Sequence, residues 1–234
     1  MNARYRYLFF DLDRTLWDFQ TNSEETLREI FYSRQLERRT GGFADFYDTW
    51  NHHNERLWGA LQKGEITKEA LRIQRFEETL RAFGIDDPQL ATNLNADYLR
   101  ICPAKTALLD GALETLDYLK SNSYKLYILS NGFTRIQKMK LAASQLEPYF
   151  DMLFTSEWAG CSKPKPGIFR KAFSYVNATK KMSLMIGDDQ KADILGAQQF
   201  GIDQVWFNPS GKERVTTPTY EISRLADLRE KLGL

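Results

Sequence analysis

The sequence has little of what marks disulfide-bonded, zinc-binding or cofactor-binding proteins. Its two cysteines, Cys102 and Cys161, lie far apart and form no CxxC motif, which favours free thiols over a disulfide or a zinc site. The two histidines, His52 and His53, are adjacent; on a helix they would diverge by about 100°, so they could not share a metal ion. No GxGxxG or Walker lysine motif occurs, which argues against the usual nucleotide-cofactor sites.

The chain also lacks an excess of charge and a long hydrophobic run. Its 32 basic and 31 acidic residues leave a formal net charge of +1, so no global attraction to nucleic acid or membrane is expected. No apolar run has the length of a membrane span, and residues 1–4 lead directly into an apolar segment without a signal sequence. We therefore expect a cytoplasmic protein without membrane or nucleic-acid partners.

Apolar segments alternate with helical patterns along most of the chain, and 42% of its 234 residues are hydrophobic, enough for a sizeable core. Buried strands are predicted at 5–10, 125–130, 183–187 and 204–207, with a weaker one at 150–154. Helices are predicted at 111–122, 133–144, 165–176 and 192–200. This alternation predicts an α/β fold with a doubly wound, Rossmann-like parallel sheet, which binds ligands at the carboxyl ends of its strands.

One long segment interrupts the alternation, because residues 17–104 contain helical patterns and no convincing strand. We therefore predict a core of residues 1–16 and 105–234, with an inserted helical cap at 17–104. Within the cap, apolar residues at helical spacing between Thr67, a candidate N-cap, and Gly84, a candidate C-cap, predict one helix. Thr21 and Glu24 fit a capping box at the start of another.

Two carboxylates follow the first predicted strand. Asp11 and Asp13 are two residues apart, so on extended backbone both side chains point the same way. Such close like charges destabilise each other unless a cation or a shared proton compensates. An EF-hand loop is excluded, since Leu16 stands where the loop needs glycine. Taken alone, the pair is also compatible with a turn that ends a strand.

Polar residues follow the later strands too. Residues 130–132, Ser-Asn-Gly, close the second strand with a hydroxyl and accessible backbone N–H groups. Lys163 precedes a proline-constrained turn, and Asp188, Asp189 and Asp193 follow the strand at 183–187. Each feature alone has an ordinary interpretation as a turn, a solvated lysine or a helix cap. Together, and in this order, they predict a site for a phosphate and a metal ion.

The ordered motifs resemble those of the haloacid dehalogenase superfamily. They are Asp-x-Asp-x-Thr at 11–15, Ser130, Lys163, and Gly-Asp at 187–188 with Asp193. The resemblance covers the whole chain, because the insertion at 17–104 is similar to the helical C1 cap of subfamily I. It implies a phosphomonoester hydrolase with a haloacid dehalogenase-type core.

The resemblance also implies a role for each motif residue. Asp11 would attack phosphorus and form an aspartyl-phosphate, for which an ordinary carboxyl group with a pKa of about 3.9 needs no activating base. Asp13 would protonate the leaving oxygen and later deprotonate the attacking water. Ser130 and Lys163 would bind the phosphoryl group, together with Asn131 and Gly132.

Mg²⁺ is the implied cofactor, since a hard dication offsets the repulsion between the carboxylates and an anionic substrate. By resemblance, its ligands are the side chains of Asp11 and Asp188 and the main-chain carbonyl of Asp13. Asp193 would support them, and Asp189 is an alternative ligand.

Several reactions remain open within the superfamily, since fold does not decide function. Asp13 argues against a haloacid dehalogenase, which attacks carbon without a metal, because Asp13 supplies the acid that an oxygen leaving group needs. A phosphatase acting on other small metabolites, a phosphomutase or phosphotransferase, and a non-catalytic sensor of a phosphorylated ligand are the alternatives.

Finer detail resembles the pyrimidine 5′-nucleotidases. The similar segments are 16–19, 54–58, 64–67, 130–133 and 156–157. This resemblance implies nucleoside monophosphate substrates, and we expect a monomer or weak homodimer.

In such a nucleotidase, Trp17, Phe19, Asn54 and Trp58 would line a base pocket, although aromatic residues of a small helical cap also commonly form its own core. Arg14 is a departure, since many members of the family have glycine at this position.

Overall fold

The structure, a computed structural model, describes residues 4–232 and contains two compact units. One unit runs to Phe19 and resumes at Thr106, and the other is Gln20–Lys105. Across the described part of the chain, no helix combines the length and the apolar character needed to cross a membrane. Cys102 and Cys161 are both free thiols.

The first unit contains a six-stranded sheet in which every pairing is parallel. The strands are β1 (Tyr7–Phe10), β2 (Lys125–Ser130), β3 (Met152–Thr155), β4 (Ser183–Gly187), β5 (Asp203–Phe207) and β6 (Tyr220–Ile222), in the spatial order β3-β2-β1-β4-β5-β6. The predicted α/β class with a doubly wound parallel sheet is confirmed. Sequence analysis missed β6, because a three-residue edge strand is too short for a hydrophobic period to be visible.

The described residues also form eleven α-helices. They are α1 (Phe19–Ser33), α2 (Glu37–Thr40), α3 (Phe43–Lys63), α4 (Lys68–Ala82), α5 (Pro88–Ile101), α6 (Ala112–Ser121), α7 (Thr134–Ala143), α8 (Ser156–Ala159), α9 (Pro166–Val176), α10 (Gly196–Phe200) and α11 (Leu228–Lys231). A π-helical segment, Gln190–Leu195, leads into α10. Between residues 20 and 105 the structure describes helices and turns without a strand.

Local helix signals in the second unit gave one correct and one wrong boundary. The Thr67 hydroxyl accepts a hydrogen bond from the N–H of Ala70 at 3.2 Å and is the N-cap of α4, as predicted. The predicted capping box of Thr21 and Glu24 is wrong, because α1 already begins at Phe19. A capping preference is weak and local, so the chain that precedes a helix can move its start by a turn.

The strand order places the carboxyl ends of β1 and β4 at the point where the winding of the sheet reverses. Connections run outward from these neighbouring strands in opposite directions, which leaves a crevice at this edge in doubly wound folds. Leu8, Phe9 and Phe10 of β1 are fully buried, so the strand is covered on both faces and its exit is fixed. The N–H of Asp11 donates to the carbonyl of Ile186 at 2.9 Å, so the residues after β1 and β4 are neighbours.

Candidate active site

Asp11 lies at the reversal point and is joined to a buried lysine. The Lys163 ammonium donates to Oδ1 of Asp11 at 2.7 Å and to Oδ1 of Asp193 at 2.6 Å. Lys163 is only 1% exposed, which is rare for a lysine unless its charge is paired. Burial acts to lower the pKa of this ammonium, but Asp11 and Asp193 outweigh it and raise the pKa above its ordinary value. The ammonium is therefore a fixed positive charge beside Asp11.

Three carboxylates come together at the same place. Asp11, Asp188 and Asp193 each offer an oxygen, and these atoms lie within 4.8 Å of one another. Burial raises the pKa of Asp11, against the opposing effect of Lys163. Burial and the charge of Asp11 raise the pKa of Asp188 to about 7. When ionised, the three carboxylates would carry more negative charge than Lys163 offsets, and their hard oxygen donors fit a divalent cation such as Mg²⁺.

Two of the acidic residues at this place, Asp189 and Asp193, are engaged in structural bonds. Oδ1 of Asp189 accepts from the N–H groups of Lys191 and Ala192 at 2.8 and 2.9 Å, so this side chain caps the following helical segment. Oδ2 of Asp193 accepts the N–H of Asp189 at 3.1 Å, while its Oδ1 is bound by Lys163. Asp11 and Asp188 are therefore the side chains best placed to bind a cation.

Two further motif residues support the carboxylates. The Thr15 hydroxyl donates to Oδ1 of Asp188 at 3.4 Å and is fully buried. Position 187 requires glycine for a steric reason, because a Cβ on Gly187 would collide with the carboxylate of Asp193. The Gly-Asp pair at the end of β4 thus lets Asp193 approach the backbone closely.

The Ser-Asn-Gly segment at the end of β2 makes hydrogen bonds within itself and to the loop that contains Lys163. Oγ of Ser130 accepts the N–H of Gly132 at 3.0 Å. Oδ1 of Asn131 accepts the N–H of Lys163 at 2.8 Å, and its Nδ2 donates to the carbonyl of Lys163 at 3.0 Å. In this structure Asn131 therefore positions the backbone of Lys163.

Asp13 has two partners that the sequence did not reveal. Nε2 of Gln137 donates to its Oδ2 at 2.7 Å, and the Lys140 ammonium is bound to its Oδ1. Both partners come from α7, more than 120 residues further along the chain. The available signal was their spacing of three residues on a predicted helix that follows the Ser130 turn, which puts them on one face.

Two of the residues predicted to line a base pocket, Trp17 and Asn54, are enclosed by protein in this structure. Trp17 is fully buried in the first unit, with its ring centroid 4.0 Å from the Lys140 ammonium. In the second unit Asn54 is 1% exposed, and its Oδ1 accepts from the guanidinium of Arg75 at 3.3 Å. Arg75 also donates to Asn95 at 3.4 Å, and burial lowers the pKa of its guanidinium.

Comparison with known proteins gives consistent results. The model of the haloacid dehalogenase-like hydrolase family matches residues 5–201. The chain is 34% identical to pyrimidine 5′-nucleotidase PynA of Streptococcus pneumoniae, over 97% of this chain and 95% of that protein. It is 30% identical to pyrimidine 5′-nucleotidase YjjG of Escherichia coli, over 98% of each chain.

A third relative has a known structure. The chain is 33% identical to the putative HAD-hydrolase YfnB of Bacillus subtilis, over 99% of this chain and 97% of that protein. A crystal structure of YfnB bound to magnesium has a TM-score of 0.91 and 32% identity, covering 99% of this chain and 100% of that one. The carboxylates and lysine at the strand ends, the family match and these relatives agree, and the chain belongs to the haloacid dehalogenase-like hydrolases.

Proposed function

We propose that the protein is a Mg²⁺-dependent phosphomonoester hydrolase that acts through a phosphorylated Asp11. The observation that carries the proposal is the Asp11 carboxylate at the sheet's reversal point, bound by the buried ammonium of Lys163 at 2.7 Å. A carboxylate in this position can attack phosphorus without a separate base, and the adjacent cation offsets charge on the reacting phosphoryl group.

The reaction consists of two displacements. An oxygen of Asp11 attacks phosphorus, the ester P–O bond breaks, and the leaving oxygen takes a proton from Asp13. Water then attacks the aspartyl-phosphate, Asp13 takes up a proton from that water, and phosphate leaves with Asp11 regenerated. Asp13 serves both steps because a group that protonates the leaving oxygen becomes the base for the second step.

Mg²⁺ would be held by Asp11, Asp188 and the main-chain carbonyl of Asp13. It would offset the charges of the carboxylates and of the phosphoryl oxygens and favour the ionised form of Asp11. Ser130 would donate its hydroxyl proton to a phosphoryl oxygen.

Nucleoside 5′-monophosphates, pyrimidine ones in particular, are the proposed substrates. This part of the proposal is supported by the similarity to the nucleotidases of Streptococcus pneumoniae and Escherichia coli over nearly the whole chain. Because these substrates are metabolites of the cytosol, the proposal includes a cytoplasmic location.

A phosphate-release screen tests both parts. The purified protein with Mg²⁺ is expected to prefer dUMP, dTMP and UMP over sugar phosphates; a preference for sugar phosphates would refute the substrate and leave the chemistry standing. Asp11→Asn should remove turnover while the fold is retained, and Asp48→Asn, at an exposed position on α3, is the matched control. Near-normal turnover by Asp11→Asn would refute the nucleophile.

A further inference from the structure

Helix α7 carries a pair of buried polar residues that face the candidate active site. Gln137 and Lys140 are 0% and 5% exposed, although the other lysine of this helix, Lys138, is exposed to solvent. We propose that the Gln137–Lys140 pair fixes the orientation of the Asp13 carboxylate and of the Ser130 hydroxyl, and so makes proton transfer by Asp13 efficient. This inference rests on the proposed function, in which Asp13 exchanges protons with the leaving oxygen and with water.

Each oxygen of Asp13 is bound by a different member of the pair. Nε2 of Gln137 donates to Oδ2 at 2.7 Å, and the Lys140 ammonium binds Oδ1. A carboxylate held at one oxygen can still rotate about its Cβ–Cγ bond, whereas one held at both oxygens cannot without breaking a bond. Proton transfer needs the donor within hydrogen-bond reach of one defined atom, so this restraint favours it.

The environment of Lys140 directs its ammonium inward. Its side chain is 6% exposed, and its ammonium lies 4.0 Å from the centroid of the Trp17 ring, within the range of a cation–π contact. A lysine that served only for solubility would extend its ammonium into water. Here the indole covers the charge, and Asp13 is its carboxylate partner.

Gln137 also determines where the Ser130 hydroxyl proton points. Oγ of Ser130 accepts one hydrogen bond from Nε2 of Gln137 at 2.7 Å and another from the N–H of Gly132 at 3.0 Å. A hydroxyl oxygen has two lone pairs, so with both engaged the O–H is left to donate elsewhere. A phosphoryl oxygen is the acceptor that the proposed function places there. Gly132 leaves room for this arrangement, because a Cβ on it would lie 2.5 Å from Nε2 of Gln137.

The test compares leaving groups that differ in their need for a proton. Release of the nucleoside from dUMP requires protonation of an alkoxide, whereas release of p-nitrophenolate from p-nitrophenyl phosphate does not. Lys140→Met removes the charge and keeps the apolar stem. Lys140→Arg retains the charge, and Lys138→Met, at an exposed position of α7, is the matched control.

In Lys140→Met, kcat for dUMP is expected to fall about 100-fold, with KM changed less than about threefold. The first turnover with p-nitrophenyl phosphate should keep its wild-type rate constant, while later turnovers become slow because attack of water still needs Asp13. Combining Lys140→Met with Asp13→Asn should cost nothing beyond Asp13→Asn alone, because Lys140 acts through Asp13. Lys140→Arg should recover most of kcat, and Lys138→Met should match wild type.

Gln137→Met is expected to lower kcat for dUMP in the same way and, through Ser130, to raise KM for both substrates. It also provides the test if circular dichroism shows Lys140→Met to be unfolded.

A slowed first turnover with p-nitrophenyl phosphate in Lys140→Met, or wild-type kinetics in that variant, would overturn the inference. Activity retained in Asp11→Asn would instead overturn the proposed function. If Asp11→Asn and Asp13→Asn lose activity as expected while Lys140→Met does not, this inference alone fails.

Discussion

The carboxyl group of Asp188 should make Mg²⁺ binding depend on pH. Burial and the charge of Asp11 raise its pKa from 3.8 to about 7. The metal binds the ionised carboxylate, so a proton on Asp188 competes with it. With a pKa of about 7, Asp188 is ionised in roughly one tenth of the metal-free molecules at pH 6 and in roughly nine tenths at pH 8. The association constant for Mg²⁺ should therefore rise about tenfold between these pH values, or ~1.4 kcal/mol.

Isothermal titration calorimetry of the purified protein with Mg²⁺ measures this dependence. Repeating the titration in buffers of different ionisation enthalpy gives the number of protons released, which should approach one per metal at pH 6 and fall close to zero at pH 8. Asp188→Asn should bind Mg²⁺ weakly and with much less dependence on pH, whereas Asp110→Asn, at an exposed position, should behave like wild type. An affinity that stays constant from pH 6 to pH 8, with no proton release, would refute the reasoning.

The same group should make the metal-free fold less stable as the pH rises. Above the ordinary pKa of 3.8 the unfolded chain has released the Asp188 proton, whereas the folded protein keeps it up to about pH 7. The folded state thus binds more protons in this window, so the contribution of Asp188 to the free energy of unfolding decreases from pH 4 to pH 7. Urea denaturation of metal-free wild type and metal-free Asp188→Asn isolates this contribution. The difference between their free energies of unfolding should fall as the pH rises. A difference that grew with pH would contradict this sign.

Three substitutions test other features by urea denaturation or steady-state kinetics. Arg14 has a left-handed backbone with φ of 63°, so Arg14→Ala should be less stable than Arg14→Gly by about 1 kcal/mol; equal stabilities would argue against strain there. Asn54→Ala should lower the free energy of unfolding by about 1–3 kcal/mol because it removes one of the hydrogen-bond acceptors of buried Arg75, whereas unchanged stability with a raised KM would indicate a substrate contact. Gly132→Ala should lower kcat about tenfold or more by displacing Gln137, and a wild-type kcat would contradict that contact.

The core of the fold could be predicted because its signals are local. A strand covered on both faces is apolar throughout, and the segments at 125–130 and 183–187 coincide with β2 and β4. The alternation with helices then required a parallel sheet, and parallel strands bring their carboxyl ends to one edge. This is why Asp11 and Asp188, 177 residues apart, could be expected to meet.

Where a feature depends on distant residues, sequence reasoning failed or was incomplete. The edge strand β6 pairs with β5 on one side only and has three residues, so it leaves no periodic signal. A lysine on a helix is usually exposed to solvent. Lys140 is buried instead, and its contact with Asp13 explains why. Trp17 was expected to face a base, yet its ring is enclosed beneath that lysine.

The sequence by itself determined which chemistry the strand ends can supply, because the acidic, hydroxyl and lysine positions are fixed by where apolar runs stop. Only the tertiary structure decided which of these groups touch, and hence their charge states. The raised pKa of Asp188 comes from burial and from Asp11, and the partners of Asp13 come from a helix more than 120 residues away. Burial and contact are properties of the folded chain, so the local sequence around a residue does not determine them.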